Sequence, residues 1–294
     1  MLVYLKLLRV HQWVKNFFLF AAAFFGGVLF FDGMLQKLML GFLCFCGISS
    51  AVYILNDLCD VENDRIHPEK HTRPIASGAV PVPAAIVLMI ALALVSFAGA
   101  WFINRGLFYV LLIYAGVNLG YSLGLKRVSL LDIVLVSSGF ILRVLAGGLL
   151  AGVAVSQWLF IMTFLFALFL SIAKRRDDLV LLESTGTEMR KSIKGYNMDY
   201  VNVVMGMMTA VIIVSYLLYI TSPEIAHRFP GKKLYVSVLF VIIGLMRYLQ
   251  ITLVEKKSGS PTKVLLKDLF IQLTVIGWVA YFAVIIYFLG NGSK

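Results

Sequence analysis

Ten consecutive residues, Asn56-Asp57-Leu58-Cys59-Asp60-Val61-Glu62-Asn63-Asp64-Arg65, carry four carboxylates at the end of an apolar run. At about 100° per residue, Asp57, Asp60 and Asp64 fall within roughly 60° of one another on a helix, while Glu62 points nearly the opposite way. Three carboxylates on one face repel, and beside low-dielectric lipid that repulsion is poorly screened. Divalent cations compensate it. Hard oxygen ligands with few protein contacts suit Mg²⁺, which completes its octahedron with water and substrate phosphate oxygens. Asp57, Asp60 and Asp64 are therefore the candidate metal ligands. A basic stretch follows at once, with Arg65, His67, Lys70, His71 and Arg73 leading into Pro74-Ile75-Ala76-Ser77-Gly78. The competing reading is a solvated helix end whose acids and bases pair with one another, with the histidines as ordinary loop residues.

A second polar cluster reads Ser171-Ile172-Ala173-Lys174-Arg175-Arg176-Asp177-Asp178. On a helix Lys174 and Asp178 share a face, and Arg175 lies three residues before Asp178. Taken alone, such a cluster marks a membrane interface. Gln12, Lys15 and Asn16 line one face where the first apolar run begins, Tyr121 and Lys126 end the fourth, and Asp132 opens the fifth. Arg143 then sits about twelve residues into the fifth run, roughly 18 Å along a helix and too deep for easy snorkelling. It is expected to face a polar cavity or an acidic partner, and plain structural pairing explains it equally well. No Ser/His/Asp or Cys/His nucleophile set is apparent, and GxGxxG and Walker A loops are absent, so ATP hydrolysis and nicotinamide chemistry have no support. Cys44, Cys46 and Cys59 form no CxxC pair, which argues against a zinc site or a disulfide framework.

Lipid must surround the elements that position these residues. Of the 294 residues, 61% are apolar and 14% charged, against about 45–50% and 25% in a soluble domain. Nine apolar runs are long enough to span a bilayer, at about 13–31, 38–56, 84–103, 107–125, 131–150, 157–174, 200–220, 235–253 and 268–289. The expectation is an all-α integral membrane protein of one domain, residues 1–294, with polar loops at about 57–83 and 175–199. Of the 26 Lys and Arg, eighteen fall on the side that holds the N-terminus and both long loops, six on the other, and two, Arg143 and Arg247, within the runs. By the positive-inside rule the N-terminus and the polar site are cytoplasmic and the C-terminus is outside. The net charge of +11 thus belongs to membrane-flanking loops rather than to nucleic-acid binding.

Asn56-Asp57-x-x-Asp60-x-x-x-Asp64 resembles the NDxxDxxxD signature of the UbiA-type intramembrane prenyltransferase superfamily. The resemblance extends over essentially the whole chain. It implies nine transmembrane helices around a lipid-embedded cavity, in a bacterial-type plasma membrane. Such enzymes usually carry a second acidic DxxxD motif after the sixth helix, where this chain has Lys174-Arg175-Arg176-Asp177-Asp178. Gln12-Trp13-Val14-Lys15-Asn16, Asp64-Arg65-x-His67-Pro68-x-Lys70, Arg73-Pro74-Ile75-Ala76-Ser77-Gly78, Tyr121-Ser122-x-Gly124-Leu125-Lys126, Phe140-x-Leu142-Arg143 and Lys174-Arg175 are similar to one branch, the decaprenyl-phosphate 5-phosphoribosyltransferases. That likeness implies Mg²⁺-dependent joining of 5-phosphoribose 1-diphosphate to a polyprenyl phosphate, with release of pyrophosphate. Asp57, Asp60 and Asp64 with Asn56 would hold Mg²⁺ and the diphosphate, and Lys174 and Arg175 the 5-phosphate. Lys15, Lys126 and Arg143 would meet the lipid phosphate or the diphosphate, with Asn16, Arg65, Lys70, Arg73, Tyr121 and Asp178 as further substrate contacts. The alternatives are prenyl transfer from a prenyl diphosphate to a small aromatic or other acceptor, and lipid-carrier transport.

Overall fold

The computed structural model describes residues 2–66, 70–185, 191–255 and 261–289, and every regular element among them is a helix. The chain divides into two compact units, Met1–Val155 and Ser156–Lys294. The first holds α1 (Leu2–Leu7), a 3₁₀ stretch (Val10–Phe20), α2 (Ala21–Gly26), α3 (Met34–Cys59), α4 (Val61–Ile66), α5 (Val82–Ile103), α6 (Arg105–Leu123) and α7 (Leu131–Ala151). The second holds α8 (Gln157–Thr185), α9 (Met198–Ile220), α10 (Pro223–Arg228), α11 (Ser237–Leu249), α12 (Pro261–Lys267) and α13 (Leu269–Ala283).

In the first unit α3 is the hub, packed against α5, α6 and α7. Its most apolar window is 61% buried within the protein, whereas that of α5 is only 11% buried and presents Val87, Leu94 and Val95 outward. In a lipid solvent that outward apolar surface needs no partner. The core between the helices contains Leu19, Phe45, Ile48, Leu107, Leu111, Leu142 and Leu150, all at least nine-tenths buried. At about 1.5 Å per residue the 26 residues of α3 run about 39 Å, longer than a hydrocarbon core of about 30 Å. Its last turns, with Asp57, therefore reach the edge of the apolar layer.

Among the described residues eight helices are long and apolar enough to cross a membrane, against nine apolar runs in the sequence. The difference is the first run. It is helical but changes pitch, with eleven residues wound as 3₁₀ and six as α2. The tighter winding lengthens it: at about 2.0 and 1.5 Å per residue the two pieces together run about 31 Å.

In the second unit α8 packs on α9 and α11 on α13. Trp278 Nε1 donates to Tyr216 Oη at 2.9 Å, and that hydroxyl lies 2.7 Å from Ser237 Oγ, so one polar chain ties α13, α9 and α11. Asp268 caps α13, accepting from the Ile271 amide at 2.9 Å, and also accepts from Arg247 Nη2 at 2.7 Å. The guanidinium hydrogen bond is the main reason this carboxyl is held below the ordinary aspartate range.

Close helix approach fixes the first unit. A Cβ on Gly147 would lie 1.7 Å from the Leu19 carbonyl oxygen, a backbone atom with nowhere to go, whereas one on Gly116 would meet nothing within 4 Å. Gly147→Ala is expected to separate α7 from the first helical run and cost about 3 kcal/mol or more. Gly116→Ala should be neutral or stabilising by up to about 1 kcal/mol. Thermal unfolding of the two variants in detergent checks the contrast.

Candidate active site

At Asp60, a turn residue with φ −104° and ψ 6°, the helix is interrupted, and two hydrogen bonds carry across the break. α3 ends at Cys59 and α4 begins at Val61, yet the Asp60 amide donates to Asn56 O at 3.0 Å and the Asp64 amide to Asp60 O at 2.8 Å. The three aspartates thus stay stacked in sequence order, but the break sorts them. Asp57 and Asp64 are buried and converge on one nitrogen: Arg73 Nη1 donates to Asp57 Oδ1 at 2.8 Å and to Asp64 Oδ2 at 2.6 Å. Asp60 turns to Lys126, whose Nζ lies 2.6 Å from both carboxylate oxygens and 3.3 Å from Asn56 Oδ1. Asn56 Nδ2 completes that group by donating to Asp60 Oδ2 at 3.1 Å.

Local folding explains how each cation arrives. The segment after Arg73 folds into a compact turn in which the Ser77 amide donates to Arg73 O at 2.9 Å and the Val80 amide to Pro74 O at 2.9 Å. Gly78 sits at φ +77°, a left-handed conformation that costs other residues energy and glycine almost nothing. Ile75 and Val80 anchor this turn in a buried cluster with Leu7, Ile54 and Ala85, which sets Arg73 over the end of α3. Lys126 comes from a 3₁₀ turn, Leu125–Arg127, directly after α6.

A third cation was not singled out in the sequence. Arg9 donates from Nη2 to Asp57 Oδ1 and stacks over the Tyr53 ring, 5.0 Å from its centroid. Its backbone is left-handed, φ 51° and ψ 47°, a conformation costing a non-glycine residue about 1–2 kcal/mol. Bonds on either side hold it there: Ser50 Oγ donates to Leu8 O at 2.9 Å and accepts from Trp13 Nε1 at 3.1 Å. In the sequence Arg9 reads only as one more flanking positive charge.

Glu62 and Arg65 lie apart from this cluster. They are exposed and pair with each other at 3.0 Å, so the sequence-level contrast between Glu62 and the aspartates holds, while Arg65 serves the solvent side. Lys70 lies half-buried in the turn Lys70–Thr72, and His67 falls outside the described residues.

Arg143 is 4% exposed and has no carboxylate partner among the described residues. Nε donates to Asn16 Oδ1 at 2.7 Å, Nη1 to Gly139 O at 2.7 Å, and Nη2 to Tyr114 Oη at 3.1 Å. Rings of Phe45, Tyr114 and Phe140 lie 5.0, 5.0 and 5.6 Å from its guanidinium carbon. Neutral acceptors and ring faces thus hold this charge, the structural pairing that the sequence left open beside an acidic partner or a polar cavity. Asn16, fully buried, also donates to Cys46 Sγ at 3.1 Å. Lys15, one residue earlier, makes no hydrogen bond or ion pair with the described residues. Tyr121 lies half-buried in the last turn of α6.

The second polar cluster lies on α8, in the other unit. Arg175 is 2% exposed and donates to Asp178. Arg176 turns elsewhere, to Asn202 Oδ1 of α9 at 2.9 Å and to Thr252 O at 2.6 Å, in the π-helical turn that extends α11. One of the three consecutive bases is thus spent on helix packing. Lys174 is half-buried.

Among the described residues no three acidic, histidine or cysteine side chains converge as they would around a metal ion. The donor set nevertheless fits Mg²⁺, which is commonly held by one or two carboxylates and completed by phosphate oxygens and water. The fit is visible in Arg73, whose Nη1 already places a positive group between two buried carboxylate oxygens. Removing it leaves Asp64 buried without its cation, a loss of about 3–5 kcal/mol for a buried pair, whereas an exposed pair is worth about 0–1 kcal/mol. Arg73→Gln should therefore lower the unfolding temperature measurably and Arg65→Gln should not, as detergent-phase thermal scans would reveal.

Comparison with known proteins agrees with this architecture. The UbiA prenyltransferase family pattern matches residues 15–274. The chain is similar to the decaprenyl-phosphate phosphoribosyltransferase of Mycolicibacterium smegmatis, 34% identical with 97% of this chain and 92% of the relative covered. Its counterpart in Corynebacterium glutamicum is also 34% identical, with 96% and 86% covered. Among solved structures, a UbiA homolog from Archaeoglobus fulgidus bound to DMAPP and Mg²⁺ superposes with a TM-score of 0.71 at 22% identity, covering 96% of this chain and 98% of that one. A polytopic helical fold, the aspartate signature on α3 and a match across most of the sequence make this chain a member of the UbiA prenyltransferase family.

Proposed function

We propose that this protein transfers the 5-phosphoribosyl group of 5-phosphoribose 1-diphosphate to a polyprenyl phosphate and releases pyrophosphate. The observation that carries this reading is the one-third identity, along nearly the whole chain, to two decaprenyl-phosphate phosphoribosyltransferases. The basic second cluster supports it. Where a prenyl diphosphate enzyme places acids, Lys174 and Arg175 supply positive charge for a 5-phosphate that a prenyl diphosphate lacks.

In this reading an oxygen of the lipid phosphate forms the new bond to ribose C1 as the bond from C1 to the diphosphate oxygen breaks, and both electrons of that bond leave with pyrophosphate. Asp57, Asp60 and Asp64, with Asn56, would hold Mg²⁺, which would stabilise the charge that gathers on the departing diphosphate. Arg73 and Lys126 stand at the same carboxylates and donate to the diphosphate oxygens. The acceptor phosphate is already anionic at neutral pH, so no side chain has to remove a proton from it. Lys15, which makes no hydrogen bond or ion pair among the described residues, is assigned to a substrate phosphate. We further read the first helical run as a ninth crossing, the N-terminus and active site as cytoplasmic and the C-terminus as external, on the distribution of Lys and Arg.

Purified protein given Mg²⁺, polyprenyl phosphate and radiolabelled phosphoribosyl diphosphate should place label in the lipid phase, and EDTA should stop it. Asp60→Asn should lower turnover by about a hundredfold or more, and Glu62→Gln by less than about twofold. Label transfer from a prenyl diphosphate, with none from phosphoribosyl diphosphate, would instead establish a prenyltransferase.

A further inference from the structure

Three carboxylates, Asp57, Asp60 and Asp64, meet three cations at the end of α3: Arg9, Arg73 and Lys126. The cluster carries no net charge. A bare divalent cation gains little by entering it, because each carboxylate is already compensated and two of the three are buried. A diphosphate arriving with the metal changes this, since its oxygens offer the displaced cations new partners.

Arg73 belongs to a turn anchored by the buried Ile75 and Val80, and Lys126 to the 3₁₀ turn after α6, but Arg9 differs in one physical respect. It reaches Asp57 from a left-handed backbone conformation, φ 51°, which persists in a non-glycine residue only where surrounding contacts enforce it. Those contacts are the two bonds to Ser50 and the ring of Tyr53. Resting on the reading that Mg²⁺ and a diphosphate come to this cluster, we infer that Arg9 is a displaceable counterion. It blocks Asp57 to metal alone and yields when metal and diphosphate arrive together, its guanidinium passing to the diphosphate. Arg9 is therefore a positioning residue that makes metal binding conditional on substrate.

The test is metal affinity, read without turnover. Mn²⁺ binding to the purified full-length protein is measured from the electron paramagnetic resonance signal of free Mn²⁺, with Asp57→Asn identifying the site. Wild type should bind Mn²⁺ weakly alone and much more tightly with phosphoribosyl diphosphate. Arg9→Gln removes the charge. Arg9→Gly removes it too, while accepting the left-handed backbone without strain. Both should bind Mn²⁺ alone about tenfold more tightly, the scale on which a neighbouring opposite charge shifts a carboxylate's affinity for a cation. Both should also lose most of the gain that the diphosphate gives wild type. Affinity for Mn²⁺ alone that is unchanged or weakened in both variants overturns the inference. If a prenyl diphosphate tightens Mn²⁺ in wild type while phosphoribosyl diphosphate does not, and the variants still bind more tightly alone, the substrate assignment falls and the role of Arg9 stands.

Discussion

The structure of the first unit turns on two buried carboxylates, Asp57 and Asp64, that share a single guanidinium nitrogen at the end of its central helix. Charges at the margin of an apolar layer are tolerated only when compensated, and everything nearby serves that need. α3 is long enough to carry its last turns out of the hydrocarbon. The turn at 73–80 is anchored by Ile75 and Val80 so that Arg73 lands between the two acids. The break at Asp60 lets the third carboxylate meet a lysine from the end of α6 rather than crowd the first two. The same balance of charge brings three acids and three bases together at the end of α3.

Much of this was legible in the sequence because helical periodicity is a strict rule. Aspartates at positions 57, 60 and 64 must lie near one another on any helix, and Glu62 must point away. The exposed Glu62–Arg65 pair follows from the same geometry. The apolar runs predicted the helices by length alone, apart from the first, which packs on α3 and α7 and is wound largely as 3₁₀. Periodicity does not report pitch.

What could not be read was set by tertiary contact. Arg9 lies 48 residues from Asp57, and its place there depends on a backbone conformation that carries no sequence signature in an arginine. Arg143 invited an acidic partner, since a buried charge ordinarily asks for one. The protein instead surrounds it with an amide, a hydroxyl, a carbonyl and three rings drawn from four helical segments, a solution visible only when they are assembled. The run Lys174-Arg175-Arg176 looked uniform, yet its members separate, with Arg176 joining α9 to the π-helical turn after α11.

The cage around Arg143 also bears on how this sequence is free to drift over generations. Its lining comes from the first helical run, α3, α6 and α7, and each contributes a group whose shape or polarity is specific: Asn16, Phe45, Tyr114 and Phe140. Lysine lacks the planar fork that fills this space, so the position has no conservative neighbour. Loss of any one lining group leaves a charge without support, and loss of the charge leaves Asn16 and its neighbours without a donor. Descendants of this chain are thus confined either to keeping the set intact or to replacing several members together, and the four positions form one inherited unit despite their separation along the polypeptide.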